Sequence, residues 1–538
     1  MNAGRELPVA AIEAAARQAA LAALPPLPAA ACESVQFERG STVLVIGDAQ
    51  RAVAAGAELA ADFDVFVFAA GAHAPQPRPR RLHVIGLALA AIDGHLGRFC
   101  ARLATTHGPR DPGNLSGKPD GTFDLVLDTG AVPLCPHPVP PPGYFRASDD
   151  ASARAAVDRI RALPVTIDKP RYVRYESVHC THASMGVAGC DRCLSVCPAR
   201  ALSSLGDRIA VDFNLCQGCA TCVAACPTGA LSYAPLPSTA TLARLRALLD
   251  AYRAGGGRAA RVLVHHRDDT AAASDPNWLP LGLPAPALFG LEYMLAALAW
   301  GAAEVAIAAR GVAAESAATL EAQVDLVHRL LALESGARLR VITGDAAPQP
   351  RALAPLVERS AGDLPAHDKH EAILAALDHL YAESSLRTTR APVDLTRDAA
   401  IGTVEIDSNK CSLCLACTQL CPTRALIGAE TDTVELGFVE HKCVQCGLCE
   451  RGCPERAIRL RPRFLPDASS RNRPRLIASD RHARCIECGT PFMSRRMLEA
   501  SIDKVRHLPQ IAADGARRLR MCPACRQRAT LFDATGLS

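Results

Sequence analysis

Aromatic residues make up only 4% of the 538 positions, with two tryptophans among them. The core must therefore rest on Ala, Leu and Val packing, which favours helices with short buried strands over an all-β sandwich. Charge of either sign is also nearly missing in excess. A formal value of +4 excludes a whole-chain electrostatic case for nucleic acid or a membrane surface. No apolar run reaches the roughly 20 residues that a spanning helix needs, and the longest, Leu288 to Ala303, is broken by Glu292. Near the N-terminus Arg5, Glu6, Glu13 and Arg17 are scattered through Ala-rich sequence without the basic region, apolar stretch and cleavage site of an export signal. A cytoplasmic location is the expectation. Both the three-glycine dinucleotide turn and the phosphate-cradling Gly-x-x-x-x-Gly-Lys loop are missing, which argues against nucleotide chemistry.

What is abundant is cysteine. There are 23, and none lies between Cys226 and Cys411. In a reducing compartment such thiols do not pair as disulfides, so they are expected to hold metal. Nineteen of them fall into five dense groups.

Two groups are complete repeats of Cys-x-x-Cys-x-x-Cys-x-x-x-Cys-Pro: Cys411, Cys414, Cys417, Cys421 and Cys443, Cys446, Cys449, Cys453. That spacing caps three corners of a [4Fe-4S] cubane with one loop and sends the fourth thiolate to the partner cluster. The expected sets are Cys411, Cys414, Cys417 with Cys453, and Cys443, Cys446, Cys449 with Cys421. Zinc knuckles use pairs of Cys-x-x-Cys and have no need of crossed fourth ligands.

A third run, Cys216, Cys219, Cys222, Cys226, is also complete, but its partner has only Cys190, Cys193 and Cys197, with Val187 where the first cysteine should stand. Cys180, in His179-Cys180-Thr181-His182, could be returned to the cluster by a loop containing Gly186 and Gly189. One set is then Cys180, Cys190, Cys193 and Cys226, the other Cys216, Cys219, Cys222 and Cys197. His179 or His182 as a nitrogen ligand, or a three-iron cluster, are the alternatives at that corner.

The fifth group is a pair of knuckles, Cys485/Cys488 and Cys522/Cys525. Four sulfurs suit zinc in a ribbon-like fold, with a rubredoxin-like single iron as the rival. Cys32, Cys100 and Cys135 stand alone and read as buried inert thiols.

The fold class expected is multidomain, α+β and α/β. Residues 1–40 read as a leader helix and linker. Residues 41–150 read as a small Rossmann-like parallel unit, with strands at Thr42–Ile46, Val65–Phe68, Leu82–Ile85 and Leu125–Leu127. A first 2[4Fe-4S] module spans 165–235, a second parallel α/β unit 255–345, a helical linker 346–400, a second 2[4Fe-4S] module 401–462 and the four-Cys zinc module 480–530. Residues 461–538 carry sixteen Lys/Arg against seven Asp/Glu, a local excess that could mark a docking face.

The cysteine runs, with Lys169-Pro170-Arg171-Tyr172-Val173-Arg174-Tyr175 before the first and Cys488-Gly-Thr-Pro-Phe492 after the second, resemble bacterial polyferredoxin-like 4Fe-4S proteins of the kind that accompany formate dehydrogenases. Leu281 to Ala287 and Gly301 to Val305 are similar to the delta-subunit domain of methyl-viologen-reducing hydrogenases, without that family's cysteines. The resemblance implies an electron carrier holding four [4Fe-4S] clusters and one zinc. Such a carrier is expected to relay electrons between a redox enzyme, such as formate dehydrogenase, and another carrier, and no catalytic residue is assigned. A flavin- or nucleotide-dependent iron–sulfur oxidoreductase subunit is the alternative, and a nucleic-acid binder a third class that the lack of interleaved aromatics disfavours.

Overall fold

The computed structural model describes residues 9–29, 32–77, 79–103, 110–334, 338–344, 348–507 and 513–535. It is a mixed α/β structure. In the first sheet the strands lie in the order Leu82–Ile85, Asp64–Phe68, Thr42–Ile46, Leu125–Asp128 and Tyr144–Arg146, every neighbouring pair parallel. Side chains alternate along a strand, so Val43, Val45, Val65 and Val67 pack with the helices Ala49–Leu59 and Asp150–Ala162, while Leu44, Ile46, Phe66 and Phe68 face the other way. That second face is covered by a hairpin, Leu89–His95 with Arg98–Leu103, which lays Ile92, Phe99 and Ala101 over it. Cys100 alternates outward on this hairpin and is exposed, which corrects its reading as a buried thiol.

An open parallel α/β sheet takes its ligand where the strand order reverses, here beyond Thr42–Ile46 and Leu125–Asp128. The chain's own backbone fills that crevice. Gly47 has φ +105°, and a Cβ there would lie 2.1 Å from the Gly130 nitrogen. Arg51 donates to Thr129 O at 3.1 Å, and Thr129 Oγ1 donates to Ile46 O at 2.7 Å. The glycine is required by backbone contact.

The second sheet is also all-parallel, in the order Leu279–Leu283, Ala260–His266, Ala302–Ala308, Leu339–Ile342. Residues of Ser238–Ala254, Leu291–Ala299, Ala314–Leu330 and Lys369–Glu383 share its core. The longest apolar stretch of the sequence is thus a buried helix and strand, and among the described residues no helix is long and apolar enough to cross a membrane.

His328 is buried in this unit, and the Leu339 N–H donates to its Nε2 at 3.3 Å, a bond that only an unprotonated nitrogen accepts. Burial holds its pKa below the ordinary 6.5, as it does for His265 and His370. The unfolded chain then takes up the proton first, so stability is full above pH 6.5 and is lost as pH falls below it. The urea midpoint is expected to drop between about pH 7.5 and about pH 5.5, and His328→Gln, which keeps an acceptor and cannot titrate, should shrink that drop. An unaltered pH dependence in the variant would count against this assignment.

The helix Val9–Ala23 buries Ala16 and Ala20 in the core shared with Ser238–Ala254, and Ser34–Glu38 pairs antiparallel with Thr166–Pro170. Small Ala faces let the helices approach closely, a contact that composition alone does not reveal. The segment from Pro348 to Arg390 is α-helical only over Lys369–Glu383, because Pro348, Pro350, Pro355 and Pro365 interrupt its first half.

Candidate metal centres

Each complete cysteine run winds through left-handed backbone. Gly218 and Ala220 flank Cys219 at φ +73° and +64°, Leu413 and Leu415 flank Cys414 at +52° and +58°, and Gln445 and Gly447 flank Cys446 at +52° and +86°. Such turns aim successive N–H groups into a concavity suited to an anionic group. Non-glycine residues there are strained by about 1 kcal/mol or more each, a cost that concentrates at functional sites. The short helices Thr221–Ala225, Ala416–Leu420 and Leu448–Arg451 follow, carrying the third cysteine and leaving the fourth at or just past the end.

Cys411, Cys414, Cys417 and Cys453 line one apolar cavity, Cys421, Cys443, Cys446 and Cys449 a second, and Cys197, Cys216, Cys219 and Cys222 a third. The last cysteine of each run therefore crosses to its partner's loop. The fold repeats the same sulfur contact in both modules: Ala201 N donates to Cys197 Sγ and Ala457 N to Cys453 Sγ, each at 3.3 Å. Gln445 Nε2 donates to Cys443 Sγ at 3.2 Å, and Thr221 Oγ1 to Cys219 Sγ at 3.4 Å.

The incomplete run is built differently. Val187 lies in a small hairpin, Ala183–Ser184 against Val187–Ala188, turning through Met185 and Gly186 at φ +49° and +78°. Beyond it Cys190 N donates to Thr181 O at 3.0 Å and Gly189 N to His182 O at 2.5 Å, so closure of the hairpin sets Cys180 beside Cys190. Gly189 is needed there because a Cβ would lie 2.5 Å from Thr181 O. Burial pushes the Cys180 thiol up, the Tyr175 hydroxyl opposes this, and the neighbouring Cys226 and Cys190 push it further. The structure thus gathers Cys180, Cys190, Cys193 and Cys226. Both ring nitrogens of His182 are engaged, Nδ1 2.8 Å from Cys190 O and Nε2 2.7 Å from Ser204 Oγ. The His179 side chain is 58% exposed, with Nδ1 3.3 Å from Glu176.

All the described cysteines are free of disulfides. Burial pushes Cys193, Cys417 and Cys443 up to about 12 and Cys216 to about 11. Thiols so raised keep their protons at neutral pH until a cation replaces them, so loading the site releases protons. Four thiols per apolar cavity, with N–H and O–H donors on their sulfurs, fit a [4Fe-4S] group.

The sulfurs of Cys485, Cys488, Cys522 and Cys525 all lie within 4.8 Å of one another. Desolvation would raise Cys485, but the amides of Cys522, Cys488 and Glu487 hold it down at about 6. This donor set fits a tetrahedral metal such as zinc. The surrounding fold departs from a ribbon: the first pair lies between the strands Arg475–Arg484 and Pro491–Ser494, whereas the second opens the helix Pro523–Thr535. Strand Arg475–Arg484 also pairs with Thr433–Phe438 of the second module, so the knuckle shares that module's sheet.

Sequence reasoning passed over the cations that serve these sites. Lys169 Nζ donates to Asn214 O and Cys216 O at 2.8 and 2.9 Å. Lys369 Nζ donates to Val223 O and Ala224 O at 2.8 Å each and pairs with the buried Glu292 at 3.2 Å. Arg192 reaches Cys190 Sγ at 3.7 Å and the carbonyls of Ala399 and Gln445 at 3.2 and 3.3 Å. Arg192 and Lys169 offered no sign beyond a basic residue near a cysteine run, which is common on any surface, and Lys369 lies far from every run in the sequence.

Residues 209–232, 404–427 and 437–459 match the family described as the 4Fe-4S binding domain. Each matched stretch contains one of the three complete runs, and the Cys190–Cys197 run lies outside them. No curated protein matches the chain. The matches and the cysteine clusters make this an iron–sulfur protein of ferredoxin-like character. A separate four-cysteine site near its C-terminus is able to bind a metal.

Proposed function

We propose that the chain is a four-centre electron relay. Its order is the Cys197/216/219/222 quartet, then Cys180/190/193/226, then Cys421/443/446/449, then Cys411/414/417/453. The observation that carries this reading is the junction between modules. Burial is the main reason the Cys446 thiol is raised to about 11, and Cys421 and, from the first module, Cys190 add to it. Within the modules burial likewise raises Cys222 and Cys449, with Cys193 and Cys417 of the adjoining quartets contributing. Arg192 spans the junction, and Arg451 closes it by donating to Ala188 O and Gly189 O at 2.8 and 2.6 Å.

Bound [4Fe-4S] clusters would supply one-electron chemistry, with potentials set by hydrogen bonds, local charge and burial. The protein's part is to exclude water from the thiols, to place N–H donors on the sulfurs, and to hold Lys169, Lys369 and Arg192 near them, each cation favouring the reduced state. The four-cysteine site would hold zinc as a structural clamp. Donor and acceptor would be a redox enzyme, such as a formate dehydrogenase, and a small carrier. An anaerobic count of iron, zinc and acid-labile sulfide, with EPR after dithionite reduction, tests this. About sixteen iron and one zinc with interacting signals support the relay, and about eight iron with excess zinc would overturn it.

A further inference from the structure

We propose that exposed arginines around the Cys411 quartet form a docking surface for an acidic, one-electron redox protein. This rests on the relay order, which leaves two terminal quartets with different surroundings.

The Cys197 end is covered by the chain itself. Val139, in the proline-rich stretch 136–143, lines that cavity and donates its N–H to Pro198 O at 3.1 Å, Gln217 donates to Pro140 O, and the His137 ring lies 3.0 Å from Ala199 O. The Cys411 end is bordered by the basic C-terminal region. Ser494 Oγ donates to Ser412 O at 2.8 Å and Arg496 Nη1 to Ser408 O at 2.9 Å, which fixes the start of the helix Arg495–Val505 over the Cys411 loop. Exposed around this loop are Lys410, Arg456, Arg459, Arg495 and Arg496.

Of the nearby carboxylates, Asp407 offsets Lys410 at 3.4 Å, whereas Glu455 is taken by Lys504 at 2.6 Å and Asp503 by Arg506 at 3.3 Å, which leaves the arginines of the patch uncancelled. Asp480 accepts the Arg496 N–H at 2.8 Å, and Glu499 is the remaining exposed acid on the helix. Arg456 and Arg495 have no carboxylate partner among the described residues. The wider region, 461–538, carries sixteen basic against seven acidic residues. Aromatics in that region are Phe464, Phe492 and Phe532 alone, so a stacking platform for nucleic acid is missing. Clustered cations beside a terminal redox centre suit electrostatic steering of an acidic partner, which speeds encounter and weakens with salt. One electron leaves the reduced partner and enters the relay, and no proton need move with it.

The test uses the full, cluster-loaded chain and a reduced, acidic plant-type [2Fe-2S] ferredoxin in anaerobic stopped flow. The second-order rate is expected to fall about tenfold or more from about 20 to about 300 mM ionic strength. Arg456→Glu/Arg495→Glu should lower the low-salt rate about tenfold and flatten the salt dependence, while Arg456→Lys/Arg495→Lys keeps both. Iron content and dithionite reduction should be the same in all three proteins. Equal ferredoxin rates in the parent and the charge-reversed protein overturn the proposal. So does equally fast reaction with a basic one-electron donor of similarly low potential, or a salt-sensitive complex with duplex DNA lost in the same variant. A parent iron content near eight would instead overturn the relay reading, which separates the two failures.

Discussion

Cys180→Ala is expected to cost the protein one iron without unfolding it. Total iron should fall from about sixteen to about fifteen per chain, and the oxidised protein should gain a three-iron EPR signal, because a cubane that loses one thiolate sheds the iron at that corner. Cys180 is the ligand candidate outside any regular run. Its place depends on the Thr181–Cys190 and His182–Gly189 backbone hydrogen bonds, which the substitution leaves intact. His182→Ala is the control. Its ring is tied to Cys190 O and Ser204, so the iron count should hold. Unchanged iron in Cys180→Ala, or loss of iron in His182→Ala, would place the fourth ligand elsewhere.

Arg471→Met should loosen the attachment of the bridging helix Lys369–Glu383 to the second module. Arg471 is 1% exposed, grips Asp378 through two bonds of 2.6 and 2.7 Å, donates to Leu465 O at 2.7 Å and lies 5.1 Å from the Phe464 ring centre. Removing one partner of a buried pair leaves the other uncompensated, at a cost of about 3 kcal/mol even with Asp378 partly open to solvent. Amide hydrogen exchange across 373–381 and 464–472 should speed up about a hundredfold. Arg471→Lys should recover little, since a single ammonium cannot make the two-bond grip. A change below about threefold would mean that the apolar contacts around Phe464 and Tyr381 hold this interface without the ion pair.

The loop that closes the Cys180 corner illustrates what was hard to read. Gly186 and Gly189 signalled a turn, yet nothing in the order of residues says that Val187 joins a two-stranded hairpin or that its closing bonds fall beside Cys190. Similarly, the Ala-rich N-terminal helix and the hairpin over the first sheet lack strong patterns, and their positions follow from small or alternating side chains meeting surfaces formed far away in the chain. In the first sheet, Gly47, Gly130 and Arg51 fill the crevice at the switch point, again through contacts between residues far apart in the chain.

By itself the sequence determined the class of chemistry and the membership of each complete cysteine run, because ligation by Cys-x-x-Cys-x-x-Cys depends on backbone geometry within one loop and the helix after it. Strand runs of alternating or wholly apolar residues were legible for the same local reason. Only the tertiary structure decided which quartets adjoin. Cys190 and Cys446, like Arg192 and Gln445, are separated by more than two hundred residues, and their approach depends on the summed packing of two modules, an α/β unit and a bridging helix. No local spacing encodes such a sum.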